Sequence, residues 1–234
     1  MRILVWFSCG DASAVAAKLA CDKYGADCEV MYCDTFAYEH LDNRRFFSDV
    51  QAWLGREIKI LRSEEYSDIY DVFTRTRFLR GPKGARCTTE LKKKVRVAEQ
   101  QFDDKHIFGF TFDESERARR FYKDNPELLV EFPLIAARMT KSDCHRMIRE
   151  AGIEIPTMYK LGYHNNNCIG CVKGGKGYWN KIRKDFPEAF NKMAAMEREL
   201  NFSLCDVFLD KLPPTAGRYI DEPDIECGVV CVGT

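Results

Sequence analysis

The residues best suited to chemistry in this sequence are cysteines near its C-terminal end. Cys168 and Cys171 lie in the segment NNCIGCVKGG, and Cys227 and Cys231 lie in the segment ECGVVC. The two sulfurs of a C-x-x-C turn can bind one metal ion, and adjacent glycines leave backbone N–H groups near them. Use of the pair as a redox dithiol is the other interpretation. The spacing therefore predicts a metal centre or a thiol reaction in this region.

A second candidate site is the polar loop Ser8-Cys9-Gly10-Asp11-Ala12-Ser13. It follows an apolar run and precedes an Ala-rich helical stretch, so it joins a strand to a helix N-terminus. Unpaired N–H groups and the helix dipole favour an anion at such a point, and small residues allow a phosphate to approach. An ordinary strand-to-helix turn capped by serine is the alternative interpretation.

The elements that would position these residues alternate along the first half of the chain. Apolar runs predict strands over 2–7, 28–33, 57–61 and 106–111, and helical spacing predicts helices over 12–24 and 39–54. This alternation indicates an α/β fold, a Rossmann-like doubly wound parallel sheet with helices on both faces. Ligands bind such sheets beyond the carboxyl ends of the strands. Three polar clusters fall there, Ser8 to Ser13, Asp34-Thr35 and Asp113 to Ser115, and we expect them to face one crevice.

The later part of the sequence does not continue this alternation of strands and helices. We divide the sequence into a nucleotide-binding α/β domain over 1–165 and a small Cys-rich C-terminal region over 166–234. Within the domain, TKSD at Thr140 predicts the start of a capped helix. Within the C-terminal region, 187–200 predicts another helix. Residues 211–225 contain three prolines and predict an extended linker.

Charge balance, the length of the apolar stretches and the cysteine count exclude some classes of protein. The 36 basic and 36 acidic residues cancel, which argues against binding to nucleic acid or an anionic membrane through bulk charge. The apolar stretch Ile3 to Phe7 is too short for a signal peptide or a membrane helix, so we expect a cytoplasmic protein. Because cytoplasmic thiols stay reduced, 11 cysteines favour metal binding or thiol chemistry over a disulfide scaffold. The basic segment 75–94 predicts a flexible loop for a polyphosphate or sulfate, or else a solvated surface.

The polar loop resembles that of a known family. Its pattern S-x-G-x-x-[SA]-A-V, from Ser8 to Val15, resembles the modified PP-loop of phosphoadenosine phosphosulfate (PAPS) reductases, a branch of the adenine nucleotide alpha hydrolase or PP-loop superfamily. The ATP pyrophosphatases of that superfamily have S-G-G-x-D-S instead. Here Cys9 replaces a glycine and Ala12 replaces the aspartate. Such a loop fits an enzyme whose substrate arrives already activated.

The resemblance continues through the rest of the first domain. Asp34-Thr35, with Glu39 and Asp42 after it, is similar to the family's D-T pair and acidic helix start near the nucleotide. Gly109 and Ser115 match its G-x-R-x-x-x-S-x-x-R element in spacing, although Thr111 replaces an arginine and the later arginine is displaced to Arg117 or Arg119. The resemblance implies a nucleotide site formed by Ser8, Cys9, Gly10, Asp11, Ser13, Asp34, Thr35, Gly109 and Ser115.

The cysteines take part in the resemblance as well. Cys87-Thr88 with Leu91-Lys92 resembles the C-T-x-x-L-K element of iron–sulfur relatives, which include adenylylsulfate (APS) reductases and DNA-phosphorothioation enzymes. E-C-G at 226–228 resembles the mobile tail of the reductases, whose cysteine attacks the sulfur of a sulfonate group and forms a thiosulfonate.

Two interpretations of Cys227 follow. In the first, Cys227 is the nucleophile, and the metal ligands are Cys87, Cys168, Cys171 and Cys231. In the second, Cys227 is itself a ligand, and C-x-x-C with C-x-x-x-C forms a four-thiolate set without Cys87. We favour the first, because five candidate thiols for four coordination positions leave one for chemistry.

The resemblance implies a thiol-dependent reductase of an adenylylated sulfate, with a [4Fe–4S] cluster or zinc, regenerated by a dithiol protein such as thioredoxin. PAPS, APS or ATP is the expected nucleotide partner, and no membrane association is expected. An ATP-dependent sulfurtransferase that thiolates nucleic acid is the second expectation; the basic patches favour it and Ala12 counts against it. The third is a non-catalytic nucleotide- or nucleic-acid-binding module with a structural metal.

Overall fold

Five parallel strands form the central sheet of the computed structural model, which describes residues 1–82, 84–225 and 227. Including two strands outside this sheet, the described strands in chain order are β1 (Ile3–Phe7), β2 (Cys28–Cys33), β3 (Ile58–Leu61), β4 (Arg80–Gly81), β5 (Gly84–Ala85), β6 (Lys105–Phe108) and β7 (Leu129–Glu131). β4 and β5 form a separate antiparallel hairpin. The sheet has the order β3-β2-β1-β6-β7, and each neighbouring pair in it is parallel. The predicted α/β fold with a Rossmann-like sheet is therefore confirmed.

The strand sequences explain this arrangement. All five residues of β1 are buried, as are all residues of β2 except the half-buried Glu29. Strands that helices cover on both faces are expected to be continuous apolar runs of this kind. The strand predicted over 106–111 is shorter in the structure, because β6 ends at Phe108 and Gly109 turns toward the polar loop. β7 was not predicted, since its three residues are exposed or half-buried and form no apolar run.

Helices cover both faces of the sheet. In chain order the helices are α1 (Asp11–Tyr24), α2 (Asp42–Leu54), α3 (Ile69–Thr76), α4 (Arg86–Thr88), α5 (Lys94–Glu99), α6 (Ser115–Asp124), α7 (Pro133–Ala136), α8 (Lys141–Glu150), α9 (Thr157–Lys160), α10 (Lys176–Asp185) and α11 (Pro187–Leu200). α1, α2 and α8 pack on one face, and α5 and α6 pack on the other. The predicted helix start at Thr140 is confirmed, because Thr140 and Asp143 form a capping box. Among the helices that the structure describes, none is both long and apolar enough to cross a membrane.

The basic segment 75–94 is not the flexible loop that its composition predicts. After the β4–β5 hairpin the chain is helical from Arg86 to Glu99, with a π-helical stretch at Thr89–Lys93. Leu91 and Val95 are buried at helical spacing, so packing of apolar side chains outweighs the local positive charge. Glu90 is buried as well and pairs with Arg86 at 2.9 Å.

A second hydrophobic core lies beside the sheet domain. Trp179 is fully buried in it, and the cluster contains residues from 66–91 as well as from 158–212. This core therefore takes side chains from both sides of the boundary placed at residue 165. The segment 211–225 is mostly exposed, as expected of a linker, but Leu212 is buried and Tyr219–Asp221 forms a short 3₁₀ turn.

Candidate functional site

The polar loop lies where the sheet order reverses. β1 pairs with β2 on one side and with β6 on the other. The connections that follow β1 and β6 run in opposite directions, which leaves a crevice between the carboxyl ends of these two strands. Ser8 follows β1 and Gly109 follows β6. Both line a cleft of about 400 Å³, a size typical of small-molecule sites.

Internal hydrogen bonds hold the polar loop in shape. The Ser13 hydroxyl accepts from the Ser8 backbone N–H at 3.0 Å and donates to the Gly10 carbonyl oxygen at 2.9 Å. Cys9 has a φ of 59°, in the left-handed region that favours glycine. Its buried side chain donates to the carbonyl oxygen of Asn43 at 3.3 Å. Cys9 thus shapes the loop from the core side.

Gly109 is required by the close approach of the loop to β6. A Cβ atom at this position would lie 2.6 Å from Ser13 Cα and 2.8 Å from Ser13 N. These are backbone atoms at the start of α1, so they cannot move aside as a flexible side chain would.

Gly109→Ala is therefore expected to push the loop away from β6. We expect a loss of about 1–3 kcal/mol in the free energy of unfolding, the scale of overpacking a close contact, together with weaker adenine-nucleotide binding. Urea denaturation and calorimetry measure the two effects. Wild-type stability and affinity would show that this close approach is unimportant.

The carboxylate of Asp11 is held by two side chains from later in the chain. Its Oδ1 accepts from the Tyr159 hydroxyl at 2.7 Å, and its Oδ2 pairs with His145 Nε2. Asp11 is buried, and Tyr159 lines the cleft beside Gly10. Asp11 could be predicted from the sequence but its partners could not, because α8 and α9 bring them from far along the chain.

Three other residues predicted to bind the nucleotide, Asp34, Ser115 and Thr35, do not line the cleft. Asp34 accepts from the Phe36 backbone N–H at 3.2 Å and pairs with Arg62 at 2.9 Å, which makes it a turn and ion-pair residue here. The hydroxyl of Ser115 donates to the carbonyl oxygen of Phe112 at 2.5 Å. Thr35 is buried and lines a neighbouring cavity rather than the cleft.

Three cationic side chains line the cleft: Arg117, Arg120 and Lys141. Arg117 also stacks over Phe110, with 4.7 Å between its guanidinium carbon and the ring centroid. Both arginines pair with a carboxylate, Arg117 with Glu114 and Arg119 with Glu116, but the side chain of Arg119 is largely exposed and that of Arg117 is not. Of the two arginines considered for the family element, Arg117 is therefore the one at the cleft.

The cysteine cavity adjoins the cleft. It is lined by Cys87 from α4, by Cys168 and Cys171 from the loop before α10, and by Cys227 from the C-terminal segment. Lys92 lies in the same wall. The resemblance indicated a common role for thiols from three distant segments, and the fold brings them together. Cys231 lies outside the described residues.

Cys227 has a position that the other cavity thiols lack. Among the described cysteines it is the one that lines both the cleft and the cysteine cavity. It also borders a smaller pocket of about 100 Å³ with Lys92 and Arg117, next to Ser8 and Gly109.

The electrostatic environment of Cys227 favours its thiolate. Burial by itself would raise the pKa of Cys227, but Lys92, Lys173 and a contact with the Thr88 hydroxyl at 3.7 Å outweigh burial and lower that pKa below its ordinary value. Burial alone would lower the pKa of Lys92. Negative charge on neighbouring groups, among which Cys227 contributes most, outweighs that effect and raises the pKa of Lys92 instead.

The remaining cavity thiols behave differently. Burial raises the pKa of Cys171 to about 12, and it also raises the pKa of Cys87 and Cys168. In the absence of a metal these three thiols are protonated at neutral pH, so they do not match Cys227 as nucleophiles.

The cysteine cavity has the donor atoms of a thiophilic metal site, since thiolates bind zinc and iron–sulfur clusters. Within residues 1–82, 84–225 and 227, however, no group of three or more His, Cys, Asp or Glu side chains is arranged to hold a metal ion. The donor types therefore fit such a centre, but their side chains do not form a coordination shell.

A buried polar chain links the loop to the cysteine cavity. Asn166 Nδ2 donates to the Cys9 carbonyl oxygen at 2.6 Å and to Asn43 Oδ1 at 2.9 Å. Glu39 accepts from Asn43 Nδ2 at 2.7 Å and from the Thr35 hydroxyl at 2.5 Å. Because Asn166 lines the cleft and Thr35 lines the cavity, this hydrogen-bonded chain forms a wall between the two.

Comparison with known proteins assigns the chain to no family. No model of a known protein family matches the chain, and no curated protein matches it.

Proposed function

We propose that this protein is a thiol-dependent reductase of an adenylylated sulfate, with PAPS or APS as substrate and Cys227 as nucleophile. One observation carries the proposal: among the described cysteines, Cys227 alone lines both the cleft at the strand ends and the cysteine cavity. A reductase of this type needs a thiolate beside an anionic nucleotide. Lys92 and Arg117 border the small pocket next to Cys227 and supply the positive charge that both anions require.

The nucleotide phosphates would bind at the polar loop and the N-terminus of α1. The Ala12 N–H donates to Asp11 Oδ1 at 2.8 Å, so the other backbone N–H groups of the first turn would meet the anion. The small residues Gly10 and Ala12 would allow its close approach. Arg120 and Lys141 line the same cleft and would neutralise further phosphate charge. Ala12 stands where ATP pyrophosphatases have an aspartate, which supports a substrate that is already activated.

The reaction has two steps. The Cys227 thiolate attacks the sulfur of the sulfate group, a sulfur–sulfur bond forms, and the bond from that sulfur to the bridging phosphate oxygen breaks. The nucleotide leaves with the electron pair. A thiol of a dithiol protein of the thioredoxin class then attacks Cys227 Sγ and releases sulfite. The second thiol of that protein closes a disulfide and frees Cys227, so two thiols lose two electrons and the sulfate sulfur gains them.

Sulfite release tests the proposal. Anaerobically purified protein is incubated with APS or PAPS and reduced thioredoxin, and sulfite and the nucleotide product are measured. We expect equal amounts of the two products. Absence of sulfite with both substrates, in protein that binds either nucleotide, would reject the reductase.

A cysteine-bound metal centre is the second part of the proposal. Cys87, Cys168 and Cys171 would hold a [4Fe–4S] cluster or zinc with a fourth thiol, for which we propose Cys231. Support comes from the convergence of thiols from separate segments on one cavity. When bound, such a centre would hold the segments of Cys87, Cys168 and Cys171 together beside Cys227.

Cys168→Ser and Cys171→Ser are each expected to remove most of the metal, because loss of one thiolate opens the coordination shell. Iron, sulfide and zinc are measured after anaerobic purification. Cys205→Ser is the matched control, because Cys205 is a buried cysteine that does not line the cysteine cavity. Full metal content in both test variants would contradict the centre.

A second function is favoured by the position of Cys227. Together with Cys87, Cys168 and Cys171 it gives the cavity four thiols, a complete ligand set that would leave none of them for attack. The protein would then be a sulfurtransferase in which ATP activates an oxygen of a nucleic acid and sulfur displaces AMP. Formation of AMP and pyrophosphate from ATP, without sulfite from PAPS or APS, would favour this function.

A further inference from the structure

The C-terminal segment 217–225 is attached to the loop that carries Cys168 and Cys171. The Tyr219 hydroxyl accepts from the backbone N–H of His164 at 2.7 Å. Asn167 Nδ2 donates to the carbonyl oxygen of Ile225 at 3.0 Å. The last described residue of the tail, Cys227, follows two positions later in the sequence.

The strongest contact between this segment and the glycine-rich loop 173–177 is made by the carboxylate of Glu222. Glu222 Oε2 accepts from the backbone N–H of Gly175 at 3.0 Å, and Glu222 Oε1 accepts from that of Gly177 at 2.7 Å. These N–H groups lie at the start of α10, where the helix dipole also favours a negative charge. A carboxylate that receives two backbone N–H groups makes charge-assisted hydrogen bonds, which are stronger than neutral ones.

The glycines are shaped for this contact. A Cβ atom on Gly175 would overlap the Glu222 carboxylate. A Cβ atom on Gly177 would lie 2.5 Å from the backbone carbon of Arg218 and 2.7 Å from the backbone nitrogen of Tyr219. The glycine-rich loop 173–177 therefore binds the C-terminal segment 217–225.

We propose that Glu222 is a positioning residue for Cys227: its carboxylate, bound by the N–H groups of Gly175 and Gly177, holds the tail against the Cys168–Cys171 loop and keeps the Cys227 thiol between the cleft and the cysteine cavity. The inference rests on the proposed function, because it assigns a purpose to that position of Cys227. Five residues of extended chain reach at most about 18 Å, so a fixed Glu222 limits how far Cys227 can move from the cleft.

Two substitutions test the inference in the full-length protein. Glu222→Ala removes the carboxylate, and Glu222→Gln keeps the side-chain size but removes its charge. Asp221→Asn is the matched control, because this neighbouring carboxylate is exposed and pairs with Arg218 in its own turn. Hydrogen exchange of peptides covering 174–180 and 217–225 measures the attachment. The rate of Cys227 alkylation by iodoacetamide measures the position of the thiol.

We expect Glu222→Ala to speed exchange at 174–180 by about tenfold and to change the alkylation rate of Cys227 several-fold. Glu222→Gln should change both in the same direction by less, and Asp221→Asn should match wild type. In an active enzyme kcat should fall in the Glu222 variants while the nucleotide Kd stays unchanged.

Neither exchange nor alkylation requires turnover, so the two proposals fail separately. Faster exchange and altered alkylation in a protein that forms no sulfite would support the Glu222 attachment and reject the reductase. Sulfite formation with wild-type exchange, alkylation and kcat in both Glu222 variants would reject the attachment alone.

Discussion

Cys227→Ser is expected to abolish sulfite formation and to leave nucleotide binding intact. A serine hydroxyl is almost wholly protonated at neutral pH, whereas the pKa of Cys227 is lowered by neighbouring cations and its thiolate is available. The loss of turnover should be at least about 10³-fold, the scale of removing a catalytic nucleophile. Single-turnover assays with PAPS and calorimetry with the product nucleotide measure the two properties.

The same variant separates the roles of Cys227. Metal retained with activity lost identifies a nucleophile. Metal lost identifies a ligand and favours the sulfurtransferase. Undiminished turnover with intact metal would contradict both roles. Cys205→Ser controls for the general effect of replacing a buried cysteine and should resemble wild type.

Lys92→Met is expected to lower the rate at neutral pH by about 10²-fold, a typical cost of losing one charge at a reacting group. Lys92 borders both the small pocket and the cysteine cavity, and its charge lowers the pKa of Cys227. Methionine keeps the length of the side chain but not the charge. The affinity for nucleotide should fall less than the rate.

The pH profile gives the direction of this effect. Activity should rise with pH as Cys227 loses its proton and should level off once the thiolate dominates. Without Lys92 the pKa of Cys227 rises, so the same increase should occur at higher pH. Lys93→Met is the control, because Lys93 follows directly in the sequence but does not line the small pocket. A wild-type pH profile for Lys92→Met would contradict the electrostatic role.

Much of the fold could be predicted because its signals are local. β1 is an uninterrupted apolar run, β2 is apolar except for Glu29, and the loop from Ser8 to Ser13 follows β1 directly. The carboxyl ends of parallel strands share one edge, so the position of this loop beside Gly109 follows from the alternation of elements. The Cys168–Cys171 turn is likewise visible from spacing alone.

Features that depend on distant contacts could not be predicted. The charge of 75–94 indicated a flexible loop for an anion or else a solvated surface, but burial of Leu91 and Val95 makes the second half of this segment helical. The partnership of Asp11 with Tyr159 joins segments far apart in the sequence. The prolines of 211–225 indicated a linker, and no local pattern pairs Glu222 with the glycine loop.

The central claim is that Cys227 attacks the sulfur of an adenylylated sulfate bound in the cleft. The most direct test is to incubate the anaerobic protein with PAPS or APS without a dithiol, and then to locate any adduct by intact and peptide mass spectrometry. We predict one SO₃ group per chain, attached to Cys227 and released as sulfite when thioredoxin is added. No adduct despite bound nucleotide, or an adduct on another cysteine, would contradict the assignment.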